Sequence, residues 1–415
     1  MKKTTLDSGV DLYINKSDKF KTWSASIYIY RPLSEKEAAY NALLAKVLKN
    51  SCAKYPTRAK LTRRQEMLYG ASFMLGVRKY ADTHALVIKF NAVCDRFLPE
   101  KISGQVFELA KEIITAPNVK NGAFDKQTVE LEKLNLKKQI EAYINNKSQY
   151  ADKRCIEILC EGNPYAADVN GSIEELEEID EKSLYEHYLE LMKNSKKDVF
   201  ICGDADEKAA MEVFGDFVSN GSISKPTVCA VRAETAEVAE EMEVTQGKLV
   251  MGFKTNINSS EKRCAAMIFN AVFGGSPVSK LFNNVRERLS LAYYASSAIG
   301  YAKGFMLVRS GIECEKYEQV KGEILRQLEE ICKGNITDEE MANALSHNLN
   351  IYGSLEDDPD TAVAVKTGWI TEGEQRNVEE IIEGMKKVTK ADVIEIAKSY
   401  KLDTVYFLKG QEVQE

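Results

Sequence analysis

The chain has 415 residues, of which 44% are hydrophobic and 29% are charged, and its net charge is −7. This composition is typical of a globular protein long enough for two domains, and it argues against intrinsic disorder. The acidic balance and the lack of a dense Lys/Arg cluster count against nucleic acid as a partner. No run of 18 apolar residues occurs, so no membrane span is expected.

The nine cysteines are odd in number, and no C-x-x-C pair occurs. Neither a disulfide framework nor a zinc ribbon is therefore indicated, and buried thiols are expected. Cys155 and Cys160 would share one helix, where core packing is their expected role. Polar residues follow Met1 and two lysines, so no signal peptide is expected. These features together predict a cytoplasmic protein.

Hydrophobic periodicity predicts elements along the first half of the chain. Strands are expected at residues 10–14, 23–30, 72–77, 85–93 and 198–202. A capping box at Ser34-Glu35-Lys36-Glu37 opens a helix that runs to about Lys49. Further helices are expected at 97–115, 124–143 and 150–161. Glutamates are frequent from residue 234 to 243, which predicts an acidic surface linker.

The second half of the chain repeats the first. LYGASF at residues 68–73 aligns with LSLAYY at 289–294, and Tyr80-Ala81 aligns with Tyr301-Ala302 at the same offset. Such a repeat is too long for a solenoid and indicates a duplicated domain. The predicted class is α+β, with each domain a largely antiparallel sheet that carries helices on one face. The expected boundaries are 1–218 and 244–415, joined by a linker at 219–243.

One stretch of the second domain, GGSPVSKLFNNVRERLSLAYY at residues 274–294, has the pattern of a binding site. A glycine pair precedes an amphipathic helix whose apolar face would bury Leu281, Phe282, Val285 and Leu289. Arg286 and Arg288 lie off that face, and Tyr293 follows where the chain becomes extended. A guanidinium and a phenol can bind the carbonyl oxygens of a peptide. The glycine pair is either a flexible connection or a mobile loop beside a substrate cavity.

This stretch contains LF-x-x-V-R-x-x-x-x-L-A-Y and resembles the second-half motif of the insulinase, pitrilysin and mitochondrial-processing-peptidase family. The resemblance implies that family's fold of two homologous domains. It also implies that Arg286 and Tyr293 bind substrate, because the matching residues of the family contact the substrate backbone and the tetrahedral intermediate.

Active members of that family carry H-x-x-E-H on the first long helix, where two histidines and a later glutamate bind zinc. The aligned positions here are Ala42, Ala45 and Lys46, and Gln139 aligns with the later glutamate. The only histidines are His84, His187 and His347, so the motif cannot be written in either direction. His84 is expected in a hairpin turn, and all three are expected to face solvent. No metal site and no catalytic residue are therefore predicted in this chain.

The resemblance to bacterial members without the zinc motif implies a non-catalytic subunit of a peptidase complex. Such a chain would bind an unfolded peptide together with a zinc-bearing homologous subunit, and Arg286 and Tyr293 would reach the partner's active site. Zinc would then be a cofactor of the partner alone. A peptide-binding or scaffold homodimer is one alternative, and an independent peptidase with a divergent metal site is another. Whether the complex is a homodimer or a heterodimer stays open.

Overall fold

The structure, a computed structural model, describes residues 1–257 and 262–410 and separates into two compact units. The first unit comprises Met1–Glu141 and Ala167–Lys225. The second unit comprises Ala142–Ala166 and the chain from Pro226 onward. The polypeptide therefore enters the second unit once, returns to the first, and then crosses again.

The first unit is built on a six-stranded sheet with the order β1-β2-β8-β3-β5-β4. Only the pairing of β2 with β8 is parallel. Two further strands, β6 and β7, form a small separate ribbon. The strands are β1 (Lys2–Thr5), β2 (Asp11–Asn15), β3 (Thr22–Pro32), β4 (Ser72–Tyr80), β5 (Thr83–Val93), β6 (Val119–Lys120), β7 (Ala123–Phe124) and β8 (Lys196–Cys202).

The helices of this unit pack on one face of the sheet, because alternate strand residues such as Trp23, Ile27 and Ile88 turn their apolar side chains toward them. The ring centroids of Trp23 and Phe107 lie 4.9 Å apart, and Trp23 is 1% exposed. The helices are α1 (Glu35–Leu48), α2 (Arg58–Met67), α3 (Ser103–Thr115), α4 (Lys126–Ala142), α6 (Ile173–Glu177), α7 (Glu181–Asn194) and α8 (Glu207–Phe214).

The second unit contains a five-stranded sheet with the order β11-β12-β10-β13-β9, in which only β13 and β9 are parallel. Its strands are β9 (Ala236–Met242), β10 (Gly247–Lys254), β11 (Ala292–Gly300), β12 (Phe305–Ile312) and β13 (Lys401–Gly410). Its helices are α5 (Lys147–Leu159), α9 (Arg263–Asn270), α10 (Tyr317–Cys332), α11 (Asp338–Gly353), α12 (Pro359–Thr371), α13 (Val378–Lys386) and α14 (Lys390–Ser399). Two π-helices, Ala271–Gly275 and Leu281–Arg288, follow α9.

The two sheets repeat one topology, as the sequence repeat predicts. The order β2-β8-β3-β5-β4 in the first unit corresponds to β9-β13-β10-β12-β11 in the second, with the parallel pair in the same place. The backbone repeats a local detail as well. Tyr69 has a φ of 55° and Ser290, its counterpart in the sequence alignment, has a φ of 49°. The predicted α+β class with two homologous, largely antiparallel halves is therefore confirmed.

The structural units differ from the predicted boundaries in two places. Residues 142–166, which were expected in the first domain, belong to the second unit. The predicted linker contains β9, where Glu240 accepts hydrogen bonds from Arg154 Nε (2.9 Å) and the Tyr150 hydroxyl (3.0 Å). The acidic composition of this segment did not predict a strand, because the partners of Glu240 lie on a helix distant along the chain.

Helix α5 covers the face of the second sheet opposite to the other helices. Ala151, Cys155 and Leu159 pack there against residues such as Val250 and Tyr406. A Cβ on Gly252 of β10 would lie 2.9 Å from a methyl group of Leu159, so a glycine is needed for this close approach. Within residues 1–257 and 262–410, no helix has both the length and the apolar character needed to cross a membrane.

Candidate functional site

Arg286 lies on the π-helix Leu281–Arg288, which buries residues such as Val285 in the core of the second unit. The Leu289 amide donates to the carbonyl five residues back at 3.2 Å, which is the wider hydrogen bonding of a π-turn. Ser290 then takes a left-handed conformation, and the Leu291 amide donates to Val285 O (2.9 Å). Because the chain turns there, the prediction that Leu289 is buried is wrong, and its side chain is 41% exposed.

Tyr293 is the extra residue of a β-bulge near the start of β11. Ala292 pairs with Ile312 and Tyr294 pairs with Gly311, so Tyr293 has no opposite residue on β12. A bulge bends its strand and changes the direction of a side chain, and bulges are common beside functional sites. Tyr293 is 60% exposed, whereas Tyr294 is partly buried, with its hydroxyl 3.4 Å from Ser148 Oγ.

The guanidinium of Arg286 is positioned by its own helix. Its central carbon lies 4.7 Å from the centroid of the Phe282 ring, a cation–π contact one helical turn back. Its Nε lies 3.4 Å from Glu287 Oε1, in an ion pair in which both side chains are about half exposed. Exposed ion pairs of this kind contribute little, so the guanidinium can exchange this neighbour for another acceptor at small cost.

Arg288, two residues further on, is exposed and lies near enough to Glu323 of α10 for its charge to act on that carboxylate. Burial of Glu323 on that helix opposes its ionisation, but hydrogen bonds from Arg326 and Gln327 and the charges of Arg326 and Arg288 lower the pKa of its carboxyl group. The two arginines of the π-helix therefore have different surroundings. Arg286 lies over an aromatic ring, and Arg288 adds its charge to those that lower the pKa of Glu323.

The glycine pair that precedes the helix is a packed element and not a mobile loop. Gly274 and Gly275 end the first π-helix, and Gly274 is buried. A Cβ on Gly274 would lie 2.7 Å from both Leu281 Cδ1 and Ser297 Oγ, and one on Gly275 would lie 2.2 Å from Asn270 Nδ2. Gly274 therefore allows a close approach to β11 and Gly275 allows one to the end of α9, so the segment is packed where a flexible or mobile loop was expected.

Helix α1 carries the positions that align with the zinc motif of active family members. Ser34 caps the helix by accepting a hydrogen bond from the Glu37 amide at 3.2 Å, which is one half of the predicted capping box. The Glu37 carboxylate pairs instead with Arg31, whose Nε and Nη2 lie 3.0 and 2.7 Å from its oxygens. The start of the helix is thus set by its sequence, with Arg31 replacing the backbone amide as the partner of Glu37.

The residues at the zinc positions do not fit a metal ion. Ala42 and Ala45 are buried in the core and provide only methyl groups, and Lys46 provides an ammonium group. The structure does bring Lys46 next to Gln139 on α4, with Nζ donating to Oε1 at 2.8 Å. Lys46 and Gln139 are therefore neighbours, as expected for two residues at the positions of zinc ligands. Where zinc ligands would be needed, they place a cation and a carboxamide.

A cavity of about 710 Å³ opens beside the end of α1 and the start of α4. Asn50 donates to Glu132 Oε1 (2.9 Å) and to Lys46 O (2.8 Å) at one wall, and Arg58 and Lys126 line it elsewhere. This cavity was not predicted from the sequence. Its lining comes from segments that are distant in the sequence, such as those of Arg58 and Lys126, so no local pattern indicates it.

The expectation that His84 and His187 face solvent is wrong. His84 is fully buried within β5, not in a hairpin turn, and its Nε2 lies 2.8 Å from Val169 O. Asn41 on α1 connects the two histidines, because its Nδ2 lies 3.0 Å from His84 Nδ1 and its Oδ1 lies 2.8 Å from His187 Nε2. Each histidine is thus part of a polar chain inside the first unit.

These surroundings favour the neutral imidazoles. Burial lowers the pKa of His84 to about 4, although the hydrogen bond to Val169 and the charge of Glu37 act in the opposite direction. Burial also lowers the pKa of His187. Across residues 1–257 and 262–410, no three or more His, Cys, Asp or Glu side chains are grouped so that they could hold a metal ion.

Comparison with known proteins defines the family of this fold. A family profile described as the peptidase M16 inactive domain matches residues 178–347. The chain is 30% identical over 414 residues to the probable inactive metalloprotease YmfF of Bacillus subtilis, covering 97% of this chain and 96% of that protein. A conserved protein from Enterococcus faecalis superposes over both full chains with a TM-score of 0.89 at 28% identity. A peptidase M16 inactive domain from Pseudomonas fluorescens, 14% identical, has a TM-score of 0.80 with 100% and 99% coverage.

The chain therefore belongs to the peptidase M16 family. The family and the two-domain fold that the sequence resemblance implied are confirmed. The roles of Arg286 and Tyr293 stay predictions.

Proposed function

We propose that this chain is the non-catalytic subunit of an M16-type peptidase complex. In this proposal it binds an unfolded peptide and contributes Arg286 and Tyr293 to the active site of a zinc-bearing homologous subunit. One observation carries the proposal. Tyr293 is exposed on a β-bulge and Arg286 is exposed on the adjoining helix, whereas the zinc positions on α1 hold no ligand set.

The chemistry of the two side chains suits this role. A guanidinium is a permanent cation with several donors, and a phenol provides one more, so both can donate to a peptide carbonyl oxygen. Donors of this kind are most effective when they are positioned where negative charge develops during peptide hydrolysis. The Phe282 ring beneath Arg286 and the bulge at Tyr293 would hold the two groups in place before the substrate arrives. Zinc, bound by the partner, would supply the activated water.

The proposed partner is a homologue that carries H-x-x-E-H, and the proposed location is the cytoplasm, where thiols stay reduced. The full chain, tagged and expressed in its native source, should capture such a homologue, which mass spectrometry would identify. Purified alone, the chain should hold less than one equivalent of zinc and show no chelator-sensitive peptidase activity. The mixture of both subunits should be active.

Two results would oppose this proposal. Stoichiometric zinc in the isolated chain, lost when a histidine is replaced, would favour an independent peptidase with a divergent metal site. A homodimer that binds peptide but captures no zinc-bearing homologue would favour a scaffold or peptide-binding function without catalysis. Light scattering of the chain with and without the homologue would separate the homodimer from the heterodimer.

A further inference from the structure

Two thiols of the second unit lie in direct contact. The sulfur atoms of Cys160 and Cys229 are 3.1 Å apart, and the Cys229 thiol donates to the Cys160 sulfur. The two residues are 1% and 2% exposed. This contact was not foreseen, because 69 positions separate the two residues in the sequence. The sequence places Cys160 near Cys155 only, because the two residues share one helix.

The backbone around both thiols is held in place by the fold. Cys160 ends α5, and its amide donates to Ile156 O at 2.8 Å. The Cys229 amide donates to Lys303 O at 3.1 Å. Two residues before Cys229, Thr227 accepts through its hydroxyl from Asn163 Nδ2 at 3.2 Å. The proximity of the sulfur atoms is thus a consequence of the packing of α5 against the segment that enters the second unit.

The position of this pair in the chain is also unusual. The polypeptide leaves the second unit after Ala166 and returns at Pro226, and the residues between them belong to the first unit. Cys160 lies just before the exit and Cys229 lies just after the return. A covalent bond between the two sulfur atoms would therefore link the point where the chain leaves the second unit to the point where it returns.

We propose that Cys160 and Cys229 are a redox modification site that forms a disulfide bond under a two-electron oxidant of the hydroperoxide class. One thiol loses its proton, and its sulfur attacks an oxygen of hydrogen peroxide. The O–O bond breaks, a sulfenic acid forms, and the released hydroxide takes up the proton as water. The second thiol then attacks the sulfenic sulfur, the S–S bond forms, and the hydroxyl leaves with the thiol proton as a second water.

The surroundings make this reaction slow but selective. The close contact with the Cys229 thiol, together with burial, raises the pKa of the Cys160 thiol, so little thiolate is present in the closed structure. Reaction then depends on brief opening at the end of α5. Once one sulfur is oxidised, its neighbour in contact resolves it before a second oxidation can occur. Cys155 on the same helix instead directs its thiol to Val250 O at 3.8 Å.

The first test is mass spectrometry of the full chain after treatment with hydrogen peroxide and alkylation of the remaining thiols. Glu157 lies between Cys155 and Cys160, so cleavage after glutamate separates the two cysteines. A cross-linked pair of peptides containing Cys160 and Cys229, lost on reduction, is expected as the main product. Cysteines that oxidise to sulfinic acid without this cross-link, or disulfides distributed among other cysteines, would overturn the proposal.

The second test uses variants and thermal unfolding. Closing a loop of this length should raise the melting temperature of the oxidised chain by roughly 5 °C or more. Cys229→Ser should abolish both the cross-link and this increase, whereas Cys155→Ser, a buried cysteine on the same helix, should retain both. An increase that persists in Cys229→Ser would contradict the proposal. The cross-link in the unmodified chain decides the question even if a variant folds poorly, and none of these results depends on the proposed function.

Discussion

The face of α1 in the first unit and the junction of Arg286 and Tyr293 in the second differ in what they present to solvent. On α1, Ala42 and Ala45 are at most 3% exposed and belong to the core. At the junction, Tyr293 is 60% exposed and Arg286 is about half exposed. The family's metal positions have therefore become packing positions here, while the second unit presents a guanidinium and a phenol on its surface. A duplicated fold can lose the ligands of one half and keep its architecture.

The largest expected effect concerns the packed face. Ala45→Glu would bring a carboxylate into a position that is 1% exposed, where it has neither room nor solvent. The free energy of unfolding should fall by about 3 kcal/mol or more in urea titrations. Lys46→Gln on the same helix, where the side chain already reaches a polar neighbour, should cost only about 1 kcal/mol. Equal stability of the two variants would mean that the α1 face is not packed as described.

A smaller effect is expected at the glycine pair that supports the junction. Gly274→Ala places a methyl group within 2.8 Å of Leu281 and Ser297, so stability should fall by about 1–3 kcal/mol. Gly322 in α10 is the matched control, because a Cβ there meets nothing within 4 Å. Gly322→Ala should raise stability by about 0.5–1 kcal/mol. Calorimetric melting of both variants would measure this difference in stability. A Gly274→Ala variant as stable as the wild type would contradict the prediction.

The buried polar chain next to α1 predicts a dependence of stability on pH. The pKa of His84 is about 4 in the folded chain and about 6.5 when unfolded, so the unfolded chain binds more protons between these values. Stability is fully present above the unfolded pKa and is lost as the pH falls toward the folded pKa. His84 alone should account for about 2 kcal/mol between neutral pH and about pH 5.

The variant His84→Gln isolates this contribution. A glutamine can still donate to Val169 O and accept from Asn41, but it does not titrate. Burial raises the pKa of Asp198 to about 6, despite the charge of Lys196. The stability that depends on Asp198 therefore falls as the pH rises, opposite to the effect of His84, but it is the same in wild type and variant. The difference between wild type and variant should therefore show the loss attributed to His84. Parallel curves of stability against pH would refute it.

The smallest effect is expected at the junction itself. Arg286→Ala and Tyr293→Phe remove groups that face solvent, and each should change the free energy of unfolding by no more than about 0.5 kcal/mol. Chemical denaturation of the isolated chain measures this. A loss comparable to that of Gly274→Ala would show that the two side chains have a structural role.

Some of this architecture could be predicted from sequence and some could not. The offset of 221 between repeats predicts the duplicated sheets. The family resemblance assigns Lys46 and Gln139 to the positions of two zinc ligands, and the structure places the two side chains in contact. The first feature follows from periodicity and the internal repeat, and the second from the family resemblance. The linkage of His84 to His187 through Asn41 depends on contacts between distant segments. No local pattern signals it.

The same limit applies at the candidate site. LF-x-x-V-R predicts a helix that places Arg286 at the surface, and the structure agrees. That helix has π-type hydrogen bonding, and Tyr293 lies on a bulge. Both features depend on how the helix meets β11 and β12, so hydrophobic periodicity does not predict them. Strand β9 was missed for a related reason, because Arg154 compensates the acidic side chain of Glu240 from a distant helix.

The central claim is that Arg286 and Tyr293 act in the active site of a partner subunit, and turnover by the reconstituted complex tests it most directly. The complex would contain this chain and its zinc-bearing homologue, with a peptide substrate at saturation. Arg286→Ala and Tyr293→Phe should each lower kcat on the order of a hundredfold, whereas Arg288→Ala, at an exposed arginine two residues further on, should leave kcat nearly unchanged. Equal behaviour of the Arg286 and Arg288 variants, or full activity of both Arg286→Ala and Tyr293→Phe, would contradict the claim.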